Sequence, residues 1–443
     1  MASDNNSNAQ PMPKMLWVYR FLMTTLAPLA IVGLCFRGFR NSAYWHRWSE
    51  RFGFVPSSVA KQGPFDLWLH AVSVGEARAA APLVRRLRED YPHLKILITT
   101  TTPTGSAMVT QMLGSSVAHC YFPYDLRGSM RRFAAATKPR LGLVMETEIW
   151  PEMISQIKAV GTHLMYTNVR LSDRSYNNYA RFKELISYTL SPVDFFAAQG
   201  KADAQHLELL GVDPSKIAIT GSIKFDVQIP ASMLEMAEVT RRQLGSDRLI
   251  WIAGSTRDGE EGRILESYKV LKAEFPHLLL VIVPRHPERF DYVARKTARR
   301  GLKVVRRTEG VPELESDVDV YLGDTMGELS LLYASSDVAF VGGSLEPFGG
   351  QNILEPCALG VPVLFGPHMF NFPDISKWTI REGAGLMVHN SKELMDELRD
   401  LLGNASRRDR MGRRGLDFID AHRGALDKNI DMLKPILKQM EQS

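Results

Sequence analysis

Short apolar runs alternate with helical patterns along most of the chain, and this alternation constrains the fold more than any other feature. The first series comprises runs at residues 66–70, 95–99, 141–145, 163–167, 195–198 and 217–219. The second series comprises runs at residues 249–253, 278–283, 303–305, 318–321 and 338–341. Strands separated by helices form mainly parallel, doubly wound sheets. The sequence therefore predicts an α/β protein with two Rossmann-like domains, with ligands at the carboxyl ends of their strands.

The length of the chain and a gap in this pattern indicate where it divides. At 443 residues the chain is long for one hydrophobic core, and two domains of about 200 residues each are expected. The alternation lapses over residues 224–230, KFDVQIP, before the second series begins. We therefore predict a tail and an anchoring helix over residues 1–44, a first domain over residues 45–230, and a second domain with C-terminal helices over residues 231–443. The two domains are expected to face a central cleft.

Residues 16–36 are the exception to an otherwise globular composition. They are about twenty mostly apolar residues, and as a helix they are long enough to cross the hydrocarbon core of a bilayer. The one charge, Arg20, and the aromatic Trp17 lie near the N-terminal end, within reach of the interface. Four arginines follow within residues 37–51, and a basic flank of this kind stays on the cytoplasmic side. The sequence predicts a membrane anchor. A helix that docks on the body of the protein is the alternative that Arg20 and Pro28 keep open.

The overall charge favours anionic partners, because the net charge is +5. The basic residues are dispersed and lack an aromatic recognition motif, so nucleic acid is not expected. Cys35, Cys120 and Cys357 are too few and too scattered for a disulfide framework, which indicates a reducing compartment. His70 and His286 have no partners at metal-ligand spacing. We therefore predict neither a metal ion nor another cofactor.

Residues 340–367 have the pattern of a strand, a glycine-rich loop, a helix and a second strand. Glycine pairs stand at residues 342–343 and 349–350, and a helical pattern begins at Asn352. Glycines let backbone N–H groups approach an anion, and a helix N-terminus adds partial positive charge, so the loop suits a phosphate. Glu355, one turn inside the helix, would accept hydrogen bonds from ribose hydroxyls. The alternative is an ordinary strand-to-helix crossover with a flexible loop.

Polar residues at other strand ends suggest acid–base chemistry. Glu76 falls in the first turn of the helix after the run at residues 66–70. There the helix dipole and free N–H groups would keep its carboxylate ionised, which suits a base. Simple capping of that helix is the alternative. Glu146 and Glu148 directly follow another apolar strand, and Lys224 stands at the predicted domain junction, where a charge is often only part of an interdomain salt bridge.

Two loops of the second domain narrow the class of ligand. The loop GSTRDGEE, residues 254–261, lacks the Gly-Lys-Ser/Thr ending of a P-loop, which argues against an ATPase. In VPRHPER, residues 283–289, Arg285 stands at a strand end, where its guanidinium can bind a phosphate with two hydrogen bonds. Arg285 is therefore a candidate phosphate ligand.

These loops also form an ordered set of motifs. Along the chain stand HAVSVGE, METEIWP, NVRLSDRS, TGSIKFD, GSTRDGEE, PRHPER, GDTMGEL and GGSLEPFGGQNILEP. With this set the chain closely resembles the Kdo (3-deoxy-D-manno-octulosonic acid) transferases of lipopolysaccharide assembly, which are inverting glycosyltransferases with a GT-B fold. The resemblance extends from about residue 45 to the C-terminal region and includes the N-terminal hydrophobic segment.

The resemblance implies transfer of Kdo from CMP-Kdo to the tetraacyldisaccharide lipid A precursor, lipid IVA, at the cytoplasmic face of the inner membrane. It implies that the reaction needs no metal, that Glu76 is the general base, and that Glu146 and Lys224 stabilise the transition state. The positions that match the family's CMP contacts are Pro284, Arg285, Met326, Gly327, Glu328, Asn352, Ile353, Leu354 and Glu355.

The same resemblance assigns the acceptor to the first domain and the donor to the second, with closure about residues 224–230. The basic flank at residues 37–51 fits a phosphate-bearing lipid acceptor at an anionic inner-membrane surface. Two alternatives remain open at this point. One is a GT-B transferase that uses another nucleotide sugar, such as a UDP-activated one. The other is a non-catalytic, membrane-bound protein that binds nucleotide sugars.

Overall fold

The computed structural model describes residues 12–310 and 312–442, which form two compact units. The first unit contains the described residues up to 223 together with those from 423 onward, and the second contains residues 224–422. The first unit therefore ends seven residues before the predicted boundary at residue 230, and the chain returns to that unit at residue 423.

The first unit contains a seven-stranded sheet in which every neighbouring pair of strands is parallel. Its strands are β1 (Leu67–His70), β2 (Ile96–Thr100), β3 (Ala118–Tyr121), β4 (Leu141–Met145), β5 (His163–Val169), β6 (Phe195–Ala198) and β7 (Ile217–Ile219). Its helices up to residue 223 are α1 (Lys14–Arg40), α2 (Ser57–Ala60), α3 (Val74–Asp90), α4 (Pro103–Leu113), α5 (Arg127–Thr137), α6 (Pro151–Ala159), α7 (Asp173–Ala180), α8 (Lys183–Leu190) and α9 (Lys201–Leu209). The strand order is β3-β2-β1-β4-β5-β6-β7.

The second unit contains another parallel sheet of seven strands. Its strands are β8 (Ile250–Thr256), β9 (Leu279–Pro284), β10 (Val304–Arg306), β11 (Val320–Leu322), β12 (Val338–Val341), β13 (Val363–Phe365) and β14 (Gly385–Met387). Its helices are α10 (Ala231–Leu244), α11 (Glu260–Glu274), α12 (Phe290–Ala298), α13 (Leu329–Ala334), α14 (Leu354–Ala358), α15 (Pro373–Arg381), α16 (Ser391–Gly403) and α17 (Ala405–His422). The strand order is β10-β11-β9-β8-β12-β13-β14.

Burial explains why the central strands are almost continuously apolar. Every residue of β1, β4, β8 and β12 is buried, because helices cover both faces of each sheet. The alternation predicted two Rossmann-like domains, and the structure confirms them. It also adds β3 and β14, which the sequence did not predict.

The strand orders locate the crevices where ligands are expected within each unit. In the first sheet β1 and β4 are neighbours, and the chain runs outward from them in opposite directions. In the second sheet β8 and β12 hold the corresponding position. Loops that follow these paired strands diverge at such switch points and leave a crevice beyond the carboxyl ends of the strands.

The last helix, α18 (Ala425–Glu441), belongs to the first unit and not to the second domain as predicted. One side of α18 is apolar, and it places Leu426, Leu433 and Leu437 in the buried cluster that includes Leu83 of α3. The Thr167 hydroxyl of β5 also donates a hydrogen bond to Asn429 Oδ1 of α18, at 2.5 Å. The packing of this apolar face against α3 therefore places α18 in the first unit.

Helix α1 combines an exposed apolar surface with two polar contacts to the rest of the first unit. By length and composition it is able to cross a membrane, and most of its apolar side chains are exposed. The Tyr19 hydroxyl donates to Asp125 Oδ2 at 2.7 Å, and Arg20 Nε lies 2.5 Å from Glu152 Oε1. Glu152 is only 1% exposed, so Arg20 compensates a buried carboxylate on α6. The N-terminal half of α1 is thus docked on the first unit.

Candidate active site

Glu76 lies at the start of α3, in the loop region that follows β1. Ser73 is the N-cap of α3, and its hydroxyl oxygen accepts a hydrogen bond from the Glu76 backbone N–H at 3.5 Å. In return, Glu76 Oε1 accepts from the Ser73 hydroxyl at 3.1 Å, and Oε2 accepts from the Val72 N–H at 2.7 Å. These reciprocal bonds resemble a capping box, except that Glu76 accepts from the N–H of Val72, the residue before the N-cap. Glu76 therefore caps its helix, and the same contacts fix its carboxyl group at the carboxyl end of β1.

The electrostatics of Glu76 are opposite to the sequence expectation. Burial, followed by the charge of Glu146 and a smaller contribution from Glu148, raises the pKa of Glu76 to about 8. The donors from Val72 and Ser73 lower the pKa but do not outweigh these effects. The prediction that the helix N-terminus keeps Glu76 ionised was wrong. A carboxyl group with a pKa near neutrality is instead suited to take up a proton and release it again.

Glu146 stands directly after β4, the strand next to β1, and its backbone is in the left-handed region. Its φ is 57°, and Asn168 at the end of the neighbouring strand β5 has φ 56°. The Glu146 N–H donates to the Thr167 carbonyl at 2.9 Å, which fixes this geometry. Left-handed backbone at residues other than glycine is unfavourable and concentrates at functional sites. From this position the charge of Glu146 raises the pKa of Glu76, so the two carboxyl groups lie close together.

Glu148 is a third carboxyl group of this crevice, and the sequence analysis did not assign it to the site. Burial raises its pKa, and the neighbouring Glu146 adds to the effect. Trp150 Nε1 donates to Glu148 Oε2 at 2.7 Å, and the Tyr166 hydroxyl donates to its backbone carbonyl, also at 2.7 Å. The signal was present in METEIWP, where both carboxylates follow one strand. Only the structure places them beside Glu76.

Asn168 is a further residue that sequence reasoning missed. It is fully buried, and its Oδ1 accepts from the Ile223 N–H at 3.2 Å and from the Ser222 hydroxyl at 3.3 Å. Its Nδ2 is enclosed and has no hydrogen-bond partner. Ile223 is the residue immediately before Lys224, in a short 3-10 turn, Ile223–Phe225. Asn168 therefore holds the chain at the point where it leaves the first unit.

In the second unit, a carboxylate already occupies three successive backbone N–H groups that begin at the second glycine of the first pair. Glu260 is fully buried at the start of α11, and it accepts hydrogen bonds from Gly343, Ser344 and Leu345 N–H at 2.7–3.0 Å and from the Arg257 N–H at 2.9 Å. These N–H groups thus bind a carboxylate of the protein itself and are not available to a phosphate. Binding of a phosphate by the rest of the loop, with the second glycine pair and the start of α14, stays a prediction.

Arg257 brings a guanidinium to the same end of the second sheet. It lies 5.1 Å from the centre of the Phe348 ring, and it is hydrogen-bonded to His286 Nε2. Burial and the charge of Arg257 lower the pKa of His286, which keeps that ring neutral. The Arg257 Nε is enclosed without a hydrogen-bond partner. Arg285 follows β9, and its N–H donates to the Thr256 carbonyl at 3.0 Å. Arginines at the ends of β8 and β9 give this crevice the chemistry to bind an anion.

The predicted nucleotide residues all belong to the second unit. Pro284 ends β9 and Arg285 follows it, residues 326–328 lie between β11 and α13, and residues 352–355 lie between β12 and the first turn of α14. Glu328 is held by Arg307 at 3.0 and 3.1 Å. Glu355 accepts from Asn352 Nδ2 at 3.1 Å and from the Ser330 hydroxyl at 3.3 Å.

The remaining predicted nucleotide residues differ in exposure. Met326 is 54% exposed, and Gly327 has φ 89°. Pro284, Ile353 and Leu354 are buried. The helix α14 begins at Leu354, two residues later than predicted. Contact of these residues with a nucleotide stays a prediction.

Among residues 12–310 and 312–442, no three His, Cys, Asp or Glu side chains form a group that could hold a metal ion. Besides burial, the charge of Glu146 raises the pKa values of both Glu76 and Glu148. That the reaction needs no metal stays a prediction from the sequence.

Comparison with known proteins identifies the chain at the level of the family. A family model described as 3-deoxy-D-manno-octulosonic-acid transferase (kdotransferase) matches residues 46–227, and one described as glycosyl transferases group 1 matches residues 262–417. The 3-deoxy-D-manno-octulosonic acid transferase of Haemophilus influenzae is 40% identical over 95% of this chain and 100% of its own length. The protein of the same name from Bordetella pertussis is 35% identical over 94% of this chain and 98% of its own length.

Among solved structures, a glycosyltransferase from Rickettsia africae matches 84% of this chain and 98% of its own. Its TM-score is 0.52 at 14% identity, a likeness that concerns the fold alone. Together with the two parallel seven-stranded sheets, it confirms the predicted GT-B fold class.

Proposed function

The chain belongs to the family of 3-deoxy-D-manno-octulosonic acid (Kdo) transferases, glycosyltransferases of lipopolysaccharide assembly, and on that premise we propose that it transfers Kdo from CMP-Kdo to the tetraacyldisaccharide precursor of lipid A, lipid IVA. We propose further that the transfer inverts the anomeric centre and needs no metal ion. The observation that carries the mechanism is the buried Glu76, whose pKa is raised to about 8 at the β1–β4 crevice.

In the proposed reaction, the Glu76 carboxylate removes the proton of an acceptor sugar hydroxyl. The hydroxyl oxygen forms a bond to the anomeric carbon of Kdo on the face opposite CMP. The bond between that carbon and the phosphate oxygen breaks, and its electron pair leaves with CMP. The proton remains on Glu76, which a pKa near 8 allows at neutral pH. CMP is an acidic leaving group, so it needs charge stabilisation more than protonation.

The charges that develop in this step are assigned to residues of both units. Glu146, beside Glu76, would stabilise positive charge on the Kdo ring as the bond to CMP breaks. Lys224 would neutralise the Kdo carboxylate or the departing phosphate. Arg285 would bind that phosphate, and Glu355 would accept hydrogen bonds from the ribose hydroxyls. Because the base belongs to one unit and the donor residues to the other, this scheme requires both units for catalysis.

Membrane association of the same chain is supported by α1, whose exposed apolar surface and length suit a bilayer. We propose that α1 anchors the protein at the cytoplasmic face of the inner membrane, where a tetraacyl acceptor would be embedded. The two polar contacts of Tyr19 and Arg20 would keep the first unit close to the lipid surface.

The proposal is tested by measuring CMP release that depends on added lipid IVA, with purified full-length protein. Glu76→Gln should lower kcat by about a hundredfold or more while leaving CMP binding intact, because it removes the base and not the donor site. CMP should compete with the donor far better than UDP. Undiminished turnover by a folded Glu76→Gln protein would contradict the assignment of the base, and equal competition by UDP would contradict the donor.

A further inference from the structure

Arg51 is a buried arginine whose guanidinium makes no hydrogen bond to any residue that the structure describes. It is 4% exposed, and its Nε is enclosed without a partner. Burial lowers the pKa of Arg51 by more than the nearby tyrosines and Glu50 raise it. Removing a cation from water without a hydrogen-bonded partner is costly, so such a group is suited to bind an anion.

The residues around Arg51 show that the nearby carboxylate is already engaged. The guanidinium carbons of Arg47 and Arg51 each lie 4.4 Å from the centre of the Tyr121 ring. Glu50 accepts two hydrogen bonds from Arg47, at 2.6 and 2.8 Å, and a third from the Tyr121 N–H at 2.7 Å. Arg47 also contacts His119, whose pKa burial lowers to about 4, so that ring is neutral at pH 7.

A third arginine, Arg37 near the C-terminal end of α1, lies close to this pair. Arg51 and Arg37 both pull down the pKa of Tyr124, against the larger effect of burial, so both guanidiniums lie near that hydroxyl. Arg37 is exposed. We call Arg37, Arg47 and Arg51 the arginine cluster. The three guanidiniums stand beside the Glu50 carboxylate, which is already paired with Arg47.

The arginine cluster adjoins the C-terminal end of an exposed apolar helix. Phe36 and Phe39 in the last turns of α1 are 70% and 80% exposed. Phe39 packs edge-on against Trp45, with ring centres 5.4 Å apart, and Trp45 is 41% exposed. Aromatic side chains beside a long apolar helix are typical of the interface between hydrocarbon and head groups. An anion that meets the arginine cluster there would be attached to a lipid.

We propose that the arginine cluster binds the phosphate group of a membrane lipid, with Arg51 as its central ligand. A guanidinium presents N–H groups in a fixed fork that matches two phosphate oxygens, and stacking on Tyr121 holds this fork in place. A phospholipid of the surrounding leaflet and the phosphorylated acceptor offer the same chemistry, and the two arms of the test below distinguish them. Only the acceptor case rests on the proposed function.

The first arm of the test measures binding of the full-length protein to lipid vesicles by flotation. The vesicles contain phosphatidylcholine alone or phosphatidylcholine mixed with phosphatidylglycerol. Arg51→Gln should weaken the binding to the mixed vesicles about tenfold, because a charge-assisted contact is lost. Arg37→Gln, at an exposed position that folding tolerates, should weaken it about fivefold. The matched control is Arg413→Gln, an exposed arginine on α17 of the second unit, which removes the same charge and should bind as the wild type does.

The second arm measures the KM for lipid IVA with the same variants. A raised KM for Arg51→Gln and Arg37→Gln at unchanged kcat, with Arg413→Gln normal, supports the acceptor as the source of the phosphate. Loss confined to vesicle binding supports a phospholipid. Failure of the wild type to transfer Kdo removes the proposed function but leaves the vesicle result valid.

The proposal is overturned if folded Arg51→Gln and Arg37→Gln match the wild type in both arms. It is also overturned if inorganic phosphate raises the Tm of detergent-solubilised wild type but not of Arg51→Gln while vesicle binding is equal, because the site would then take a free anion. Should Arg51→Gln fail to fold, Arg37→Gln carries the test alone, and wild-type behaviour of that variant in both arms counts against the proposal.

Discussion

The raised pKa of Glu76 predicts an unusual pH dependence of Kdo transfer. With a pKa of about 8, only about one protein molecule in ten carries the ionised base at pH 7. The base acts in its ionised form, so kcat/KM should rise about tenfold per pH unit below pH 8 and level off above it. An unperturbed glutamate, with a pKa of 4.5, would give a flat profile over the same range.

The structure also predicts which residue moves this profile. After burial, Glu146 has the largest effect in raising the pKa of Glu76, and Glu148 has a smaller one. Glu146→Gln removes the nearby negative charge, which lowers the pKa of Glu76 and shifts the rising limb to lower pH by about one unit. The plateau should also fall, because Glu146 is proposed to stabilise the transition state. Glu148→Gln should shift the limb in the same direction by a smaller amount.

The assay is the initial rate of CMP release with lipid IVA, measured from about pH 6 to about pH 10 at constant ionic strength. Glu208→Gln, an exposed change on α9, is the matched control and should leave the limb in place. A wild-type limb below pH 6, or a limb that Glu146→Gln leaves unmoved, would refute the coupling between these carboxyl groups.

Three other predictions follow from contacts in the two units. Deleting residues 1–40 should reduce recovery with membranes and lower transfer to lipid IVA more than hydrolysis of CMP-Kdo, and equal loss of both activities would contradict the anchoring role of α1. Glu260→Gln should lower the free energy of unfolding by about 3 kcal/mol in urea titration, because its NH2 group would face N–H donors; the exposed Glu266→Gln on the same helix should cost less than about 1 kcal/mol. In urea titration, Asn168→Gly should have a free energy of unfolding about 1 kcal/mol higher than Asn168→Ala, because glycine adopts φ 56° without strain and alanine does not. The reverse order would argue against backbone strain at this position.

The sequence predicted the architecture well because each parallel strand carries its own local signal. The runs at β4, β7 and β12 were placed with the observed bounds, since each is a short apolar segment between helical patterns. The strands β3 and β14 were missed because their signals are weak: β3 is the four residues AHCY, and β14 is three residues that begin with a glycine. β14 is recognisable as a strand only from its pairing with β13.

The candidate site was predicted less completely, because its properties depend on groups distant in sequence. Local rules for a helix N-terminus predicted an ionised Glu76, whereas burial and Glu146, seventy residues away, raise its pKa. The glycine loop at residues 342–343 was correctly seen as an anion site, but no local pattern tells that Glu260 supplies the anion. The burial of Arg51, with its Nε enclosed, is likewise a result of packing that the sequence pattern does not show.

The most direct test of the central claim is mass spectrometry of the lipid product. Purified full-length protein would be incubated with lipid IVA and a CMP-Kdo-generating system in the presence of EDTA, beside the Glu76→Ala variant. The account predicts that wild-type protein adds mass increments of Kdo to the lipid and that the variant, although folded and able to bind CMP, adds none. An unchanged lipid mass from a folded, CMP-binding wild type would contradict transfer to this acceptor, and increments from Glu76→Ala would contradict the role of Glu76 as the base.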